Sequence, residues 1–296
     1  MTSTFQFPDL NEAALRRLAA EVAFALAPGD TLALEGDLGA GKTTFARALI
    51  RSLTGDDSLE VPSPTFTLVQ NYAGPRFDIA HFDLYRMTSA GELDELGYDA
   101  SLRNGIAVIE WPSQAGDRLS PDRFEINLQE GTGDTLRTVA ITGHGRTASR
   151  AARLAAIRTF LIDAEWADAS TRISYLQGDA SARRYARLQR AGGKRAILMD
   201  SPRQPDGPAV RDGKPYSQIA HLAEDVRAFV AVDRALAASG FSTPEIFAHD
   251  LDAGDVLDRI EVLDAEGAGA GQRGLDGAAH AFSRMRWPTA VFDAGT

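Results

Sequence analysis

The sequence predicts an α/β fold in its first half, built on a mixed, mainly parallel sheet, and a smaller α+β unit after it. Three observations support this prediction. A short apolar run at 31–34 leads through a glycine-rich loop into an amphipathic stretch at 44–50, which is the order strand, loop, helix. The continuous apolar run 106–109 is typical of a strand buried inside a parallel sheet. With 296 residues, the chain is long enough for two domains.

The first unit is predicted to open with a helix. Asp9 and Glu12 have the spacing of a capping box, and the Pro28-Gly29 pair ends the run. Between them, apolar residues recur at helical intervals, at Leu15, Leu18, Val22 and Leu26. The strand at 31–34 and the helix at 44–50 follow.

A hairpin, a short helix and three further strands complete the predicted first unit. The hairpin joins two β-type runs through Ala73-Gly-Pro-Arg76, and Ser89 with Glu92 caps a short helix that stops at Gly97. The predicted strands are 66–72, 77–85, 106–109, 124–128 and 136–142.

Four segments are predicted along the chain. Residues 1–145 form the first unit, 146–157 a linker, 158–250 the second unit and 251–296 an irregular tail. Gly143-His-Gly-Arg146 marks the boundary. The second unit has strand-like runs at 174–176 and 196–199 and a long helix from about 217 to 238, and a glycine-rich stretch at 266–274 has the composition of a linker.

The glycine-rich loop reads Gly36-Asp-Leu-Gly-Ala-Gly-Lys-Thr43, which fits the pattern G-x-x-x-x-G-K-[ST] of a P-loop. Glycines let successive backbone N–H groups point into one concavity, and the N-terminus of the next helix adds partial positive charge. Lys42 is expected to reach the β- and γ-phosphates of ATP, and the Thr43 hydroxyl to bind Mg²⁺. The predicted nucleotide-binding residues of the loop are Gly36, Asp37, Leu38, Gly39, Ala40, Gly41, Lys42, Thr43 and Thr44.

Two carboxylates lie at the ends of predicted strands. Asp83 lies in His81-Phe-Asp-Leu-Tyr-Arg86, and Glu110 in Val108-Ile-Glu-Trp-Pro112. Ligands of parallel α/β sheets bind at the carboxyl ends of the strands. A P-loop enzyme needs a carboxylate on the metal side and a group that places the attacking water. Asp83 and Glu110 are candidates for these tasks, and a helix cap or a surface charge is the alternative for each.

Composition limits the partners and the compartment. The chain has no cysteine, no signal-like N-terminus and no apolar run long enough to span a bilayer, so we expect a cytoplasmic protein without membrane contact. The net charge of −10 falls on the first half: residues 1–145 carry 21 acidic and 11 basic side chains, and the rest carries 20 of each. Such an acidic unit is a poor candidate for direct binding to a nucleic-acid backbone, because the phosphates are also negatively charged.

Four motifs in order resemble those of the TsaE family over residues 1 to about 145: the P-loop, Ser63-Pro-Thr-Phe66, the motif around Asp83 and the motif around Glu110. The resemblance implies a P-loop NTPase that hydrolyses ATP with Mg²⁺. It also implies action with TsaB and TsaD in making threonylcarbamoyladenosine at position 37 of tRNA, with tRNA contacted only through the complex. It does not imply that this chain transfers the threonylcarbamoyl group.

The resemblance also implies roles for residues. Lys42 and Thr43 would hold phosphate and Mg²⁺. Asp83 would orient or deprotonate the attacking water and Glu110 would lie on the metal side, although the division of roles between these two acids stays open. Thr65 would sense the γ-phosphate from a switch-like loop.

Three other motif residues have ordinary alternatives. Trp111 would be a packing residue or a neighbour of the nucleotide. His81 and Arg86 would serve the site or make common packing and salt-bridge contacts, and Arg86 is the nearest candidate for an arginine finger.

The second half resembles the N-terminal lobe of aminoglycoside-phosphotransferase-like kinases, through the stretches 177–188 and 196–200. The closest subgroup phosphorylates N-acetylmuramate and N-acetylglucosamine, and Gly178–Arg184 would be its hairpin over ATP. Nothing after residue 250 resembles the catalytic HGD-x-x-x-x-N motif. The resemblance therefore implies an inactive remnant of a sugar kinase.

Three functions compete at this point. The first is an ATPase subunit of the tRNA-modification machinery. The second is a phosphotransferase that uses the P-loop to phosphorylate a small molecule such as a cell-wall amino sugar, although no acceptor lid is recognisable. The third is a non-catalytic scaffold whose partner affinity depends on bound nucleotide.

Overall fold

A computed structural model describes residues 2–168, 171–176, 183–202, 208–211, 214–215 and 226–259. The strands of its first sheet are β1 (Thr2–Leu10), β2 (Thr31–Glu35), β3 (Val69–Tyr72), β4 (Asp78–Asp83), β5 (Gly105–Glu110), β6 (Arg123–Glu130) and β7 (Arg137–His144). They lie in the order β1-β7-β6-β2-β5-β4-β3. The four strands β6, β2, β5 and β4 run parallel, and the outer pairings are antiparallel. The predicted α/β class with a mixed sheet is confirmed.

Strand β5 shows how the sheet is buried. Ile106 and Val108 belong to the main hydrophobic cluster, whereas Ala107 and Ile109 belong to a second cluster. Alternate residues of a strand point to opposite faces, so both faces of the sheet centre are covered. The prediction of a buried parallel strand at 106–109 is confirmed.

Helices of the first unit are α1 (Glu12–Ala25), α2 (Lys42–Thr54) and the short α3 (Glu92–Glu95) and α4 (Tyr98–Ser101). The predicted capping box of α1 is wrong. Asn11 is the N-cap, and its side chain accepts a hydrogen bond from the Ala14 N–H at 2.9 Å. Asp9 instead lies in strand β1, next to its last residue, and its carboxylate accepts from the Thr132 N–H at 2.8 Å. The sequence analysis had not predicted β1.

Residues 146–157, predicted as a linker, form a turn of 3-10 helix and most of helix α5 (Ala148–Asp163). The helix packs on β1, β7 and α1, and Ala151 and Leu154 lie in the main hydrophobic cluster of the first unit. Arg150 donates two hydrogen bonds to the buried carboxylate of Asp30. Within the described ranges, no helix is long and apolar enough to cross a membrane.

The elements of the second unit are β8 (Arg172–Leu176), β9 (Arg184–Gln189), β10 (Arg195–Asp200), β11 (Ala209–Arg211), β12 (Lys214–Pro215), α6 (Val226–Ala238), β13 (Glu245–Asp250) and β14 (Asp255–Arg259). Five of these strands form an antiparallel sheet in the order β13-β14-β10-β9-β8. Strand β14 lies in the stretch after residue 250 that we predicted to be irregular. The predicted hairpin at 178–184 and the glycine-rich stretch 266–274 fall mostly or wholly outside the described residues.

The two units contact each other through helix α1. Its Arg17 and Glu21 form a buried ion pair at 2.8 Å, and Arg158 of α5 adds a second bond to Glu21 at 2.6 Å. The Arg17 guanidinium also donates to the backbone carbonyls of Trp166 and Asp168, at 3.0 and 2.6 Å. These contacts pair the buried charges of Arg17 and Glu21, which would destabilise the folded state if they had no partners.

Candidate nucleotide site

The P-loop lies where strand β2 ends and helix α2 begins. Gly36 has φ of 140°, and a Cβ at this position would lie 2.4 Å from the carbonyl oxygen of Leu128. Gly41, with φ of 103°, precedes α2, and no side chain caps that helix. The close packing and the backbone conformation both require glycine. The uncapped N-terminus leaves main-chain N–H groups for an anion.

Lys42 is folded back over the loop. Its Nζ donates hydrogen bonds to the carbonyls of Gly36 and Asp37, at 2.7 and 2.8 Å, and lies 3.7 Å from the ring centre of Trp111. Burial lowers the pKa of Lys42, and the nearby carboxylates of Glu110 and Asp83 oppose that shift. The ammonium group therefore lies among the groups that we predicted to contact nucleotide.

Thr43 and Glu110 come together at the start of α2. The Thr43 hydroxyl donates to Glu110 Oε2 at 2.8 Å, and Glu110 Oε1 lies 3.0 Å from His81 Nε2. His81 and Glu110 are both buried, and His81 Nδ1 has no partner among the described residues. The hydroxyl and the carboxylate are hard oxygen donors, which suit Mg²⁺ when phosphate oxygens and water complete its coordination.

Asp83 lies at the end of the neighbouring strand β4 and has its own set of hydrogen-bond partners. Its Oδ2 accepts from the hydroxyls of Ser63 and Thr65, at 2.8 and 2.7 Å, and its Oδ1 accepts from the Tyr85 N–H at 3.1 Å. Asp83 and Glu110 are register partners at the ends of β4 and β5. The two acids thus share one edge of the sheet, Glu110 beside the P-loop and Asp83 beside the Ser63–Phe66 loop.

Aromatic side chains surround this edge. Trp111 has the left-handed φ of 59°, uncommon for a residue other than glycine, and its ring lies 5.1 Å from that of Tyr85. The guanidinium of Arg86 lies over the ring of Phe66, 4.5 Å from its centre. The structure therefore gives Arg86 a cation–π contact, and gives Trp111 a contact with the P-loop lysine.

The remaining loop residues differ in position. Leu38 is 85 % exposed, whereas Ala40 is buried, and Thr44 follows Thr43 in the first turn of α2. Glu35, directly before Gly36, has a pKa raised by burial and by the nearby carboxylate of Glu125. The P-loop pattern begins one residue after Glu35 and therefore gives no signal for this acid.

A strand, a glycine loop that needs left-handed backbone, a helix N-terminus, a lysine, a hydroxyl and two strand-end acids together define a P-loop nucleotide-binding protein. Comparison with known proteins gives the particular family. A family model described as "Threonylcarbamoyl adenosine biosynthesis protein TsaE" matches residues 10–139. The chain belongs to the TsaE family.

Relatives from three bacteria illustrate the match, and each is named "tRNA threonylcarbamoyladenosine biosynthesis protein TsaE". The Rickettsia felis protein is 41 % identical over 119 residues, which are 40 % of this chain and 69 % of that protein. The Rickettsia conorii protein is 38 % identical over 134 residues, covering 45 % and 76 %. The Bacillus subtilis protein is 38 % identical over 119 residues, covering 40 % and 72 %.

One solved structure and a second family model complete the comparison. The crystal structure of Bacillus subtilis YdiB is 29 % identical, with a TM-score of 0.44, and the match covers 53 % of this chain and 97 % of that one. A model described as "Phosphotransferase enzyme family" matches residues 172–284. The chain therefore carries a phosphotransferase-like second half, and this match extends beyond residue 250, where we predicted that the kinase-like unit ends.

Proposed function

We propose that this chain is a cytoplasmic, Mg²⁺-dependent ATP hydrolase that serves tRNA threonylcarbamoyladenosine biosynthesis together with TsaB and TsaD homologues. Membership of the TsaE family supports the pathway. One observation of the site supports hydrolysis above the alternatives: Lys42, the Thr43–Glu110 pair and Asp83 meet at one edge of the sheet. This is the set of groups that P-loop hydrolysis requires.

Lys42 would bind the β- and γ-phosphates. Its two hydrogen bonds go to carbonyls of the loop itself, at 2.7 and 2.8 Å, so its N–H groups already lie at the loop opening. Phosphate oxygens would replace those carbonyls as acceptors. Burial lowers the pKa of the lysine, which reflects the loss of water that also strengthens its attraction to an anion.

Thr43 and Glu110 would hold the metal between them. Mg²⁺ bound there would neutralise negative charge on the β- and γ-phosphate oxygens. The 2.8 Å hydrogen bond from Thr43 to Glu110 places the two oxygens close enough to share one ion or its water. His81 fixes the other oxygen of Glu110, so the carboxylate keeps one orientation.

Asp83 would orient the attacking water. Its Oδ2 accepts from Ser63 and Thr65 in this structure. If Thr65 turns its hydroxyl to a γ-phosphate, that oxygen of Asp83 becomes available to accept a proton from water. Thr65 would then report the presence of ATP to the Ser63–Phe66 loop.

The acidic balance of residues 1–145, 21 acidic against 11 basic side chains, favours contact with tRNA through the partner proteins rather than directly. We further propose that the second half, which matches the phosphotransferase family over residues 172–284, is a sugar-kinase remnant that phosphorylates no sugar in this chain.

One experiment separates the proposal from its alternatives. ATP turnover of the full chain is measured during a Mg²⁺ titration, alone and with TsaB and TsaD homologues, beside a screen for phosphorylation of N-acetylmuramate and N-acetylglucosamine. We expect Mg²⁺-dependent turnover that changes when the partners are added, and no sugar phosphate. Binding of ATP without turnover would favour the scaffold, and a sugar phosphate would favour the phosphotransferase.

A further inference from the structure

Arg137, the first residue of strand β7, lies outside every motif discussed above and contacts the P-loop. Its Nε donates to the carbonyl of Ala40 at 3.1 Å, and one terminal nitrogen donates to the carbonyl of Gly39 at 3.2 Å. The other terminal nitrogen donates to the carbonyls of Asp134 and Leu136, at 2.8 and 2.7 Å. One guanidinium thus joins the P-loop to the turn between β6 and β7.

These four bonds distinguish Arg137 from an ordinary surface arginine. Within the described ranges, every hydrogen bond of its guanidinium goes to a backbone carbonyl and none to a carboxylate. Its positive charge is therefore not neutralised by an ion pair there. The bond directions need the planar, forked arrangement of donors that arginine has and lysine lacks.

Holding a carbonyl also fixes the N–H of the same peptide group. A trans peptide is planar, and its C=O and N–H point in opposite directions. The Gly39 carbonyl points to Arg137, and the Ala40 N–H of that peptide donates inside the loop to Asp37 at 3.1 Å. The Ala40 carbonyl also points to Arg137, so the Gly41 N–H points away from it. A cation on a carbonyl also polarises the peptide and strengthens its N–H as a donor.

We propose that Arg137 is a positioning residue of the nucleotide site: it holds the outer carbonyls of the P-loop so that the Gly41 N–H faces the phosphates. This inference rests on the proposed function of the loop. The positive φ values of Gly39 and Gly41, 82° and 103°, provide the backbone conformation that Arg137 then holds. A loop held before binding loses less conformational freedom when the phosphates arrive.

The test compares Arg137→Lys and Arg137→Gln with the parent chain, using full-length protein, Mg²⁺-ADP titration calorimetry and steady-state ATP turnover. Arg146→Gln is the matched control, because Arg146 follows the other end of β7, is largely exposed and pairs with Asp122 instead. Thermal midpoints without nucleotide are recorded, and binding is measured below the lowest of them.

We expect both Arg137 variants to bind ADP at least about tenfold more weakly and to raise the KM for ATP, with kcat within about threefold of the parent. The control should match the parent. If Arg137→Lys binds ADP as tightly as the parent chain, a positive charge is enough at this position. If Arg137→Gln binds ADP as tightly as the parent, the hydrogen bonds from Arg137 to the P-loop do not affect nucleotide binding. Either result overturns the inference. Absence of nucleotide binding in the parent would instead overturn the proposed function.

Discussion

Replacing Leu154 with alanine tests whether helix α5 is part of the first unit rather than a connector. Leu154 is 3 % exposed and lies in the main hydrophobic cluster, on a helix that packs against β1, β7 and α1. Removing a leucine side chain from such a core costs about 2–5 kcal/mol, because burial is lost and a cavity remains. Ile162→Ala on the same helix is the matched control, since Ile162 is 54 % exposed and should cost about 0.5 kcal/mol or less.

Urea unfolding, followed by circular dichroism and by loss of ADP binding, measures the difference. With a slope of about 3 kcal/mol per molar urea, a loss of about 3 kcal/mol lowers the midpoint by about 1 M. Both signals should shift together in Leu154→Ala, because the nucleotide site is on the sheet that α5 covers. Equal midpoints for Leu154→Ala and Ile162→Ala would show that helix α5 is not part of the hydrophobic core of the first unit.

Three further predictions concern single carboxylates. Asp83→Asn should retain ADP binding and lose most ATP turnover, since the amide cannot accept a proton from water; unchanged turnover would exclude that role. Glu110→Gln should raise the Mg²⁺ concentration for half-maximal activity, and a parent-like titration would contradict metal-side placement. Burial, together with Asp200 and opposed by Arg153, raises the pKa of Asp255 to about 7. The folded state then keeps a proton that the unfolded chain releases near pH 4, so Asp255 should contribute a fall of about 1.4 kcal/mol per pH unit to the free energy of unfolding from about pH 4 to 7. Asp255→Asn should remove that slope, and an unchanged slope would contradict it.

The sequence predicted the structure best where the structure depends on residues that are close together in the sequence. The P-loop pattern predicted the strand, the loop and the helix, because glycine conformation and phosphate binding are properties of that short segment. Hydrophobic continuity predicted β5, and the strand-end rule made Asp83 and Glu110 candidates for the site. The structure pairs these two residues in register.

The errors arose where distant contacts decide the structure. Strand β1 was missed because it is stabilised by pairing with β7, for example Phe5 with Ile141, which no local pattern reveals. The first part of helix α5, residues 148–157, follows a glycine-rich boundary and was predicted as part of a linker, yet the burial of the helix depends on β1, β7 and α1. Arg137 was missed for the same reason, since its hydrogen-bond partners Ala40 and Gly39 lie 97 and 98 residues away in the sequence.

We propose that this chain hydrolyses ATP at the P-loop, and the Lys42→Ala variant is the sharpest test of that activity. The variant removes the one side-chain cation of the P-loop motif, which is expected to lower ATP turnover at least about tenfold while circular dichroism stays that of the parent. Turnover is measured for the full chain with Mg²⁺ and with TsaB and TsaD homologues present. Parent-like turnover in a folded Lys42→Ala variant would contradict the account.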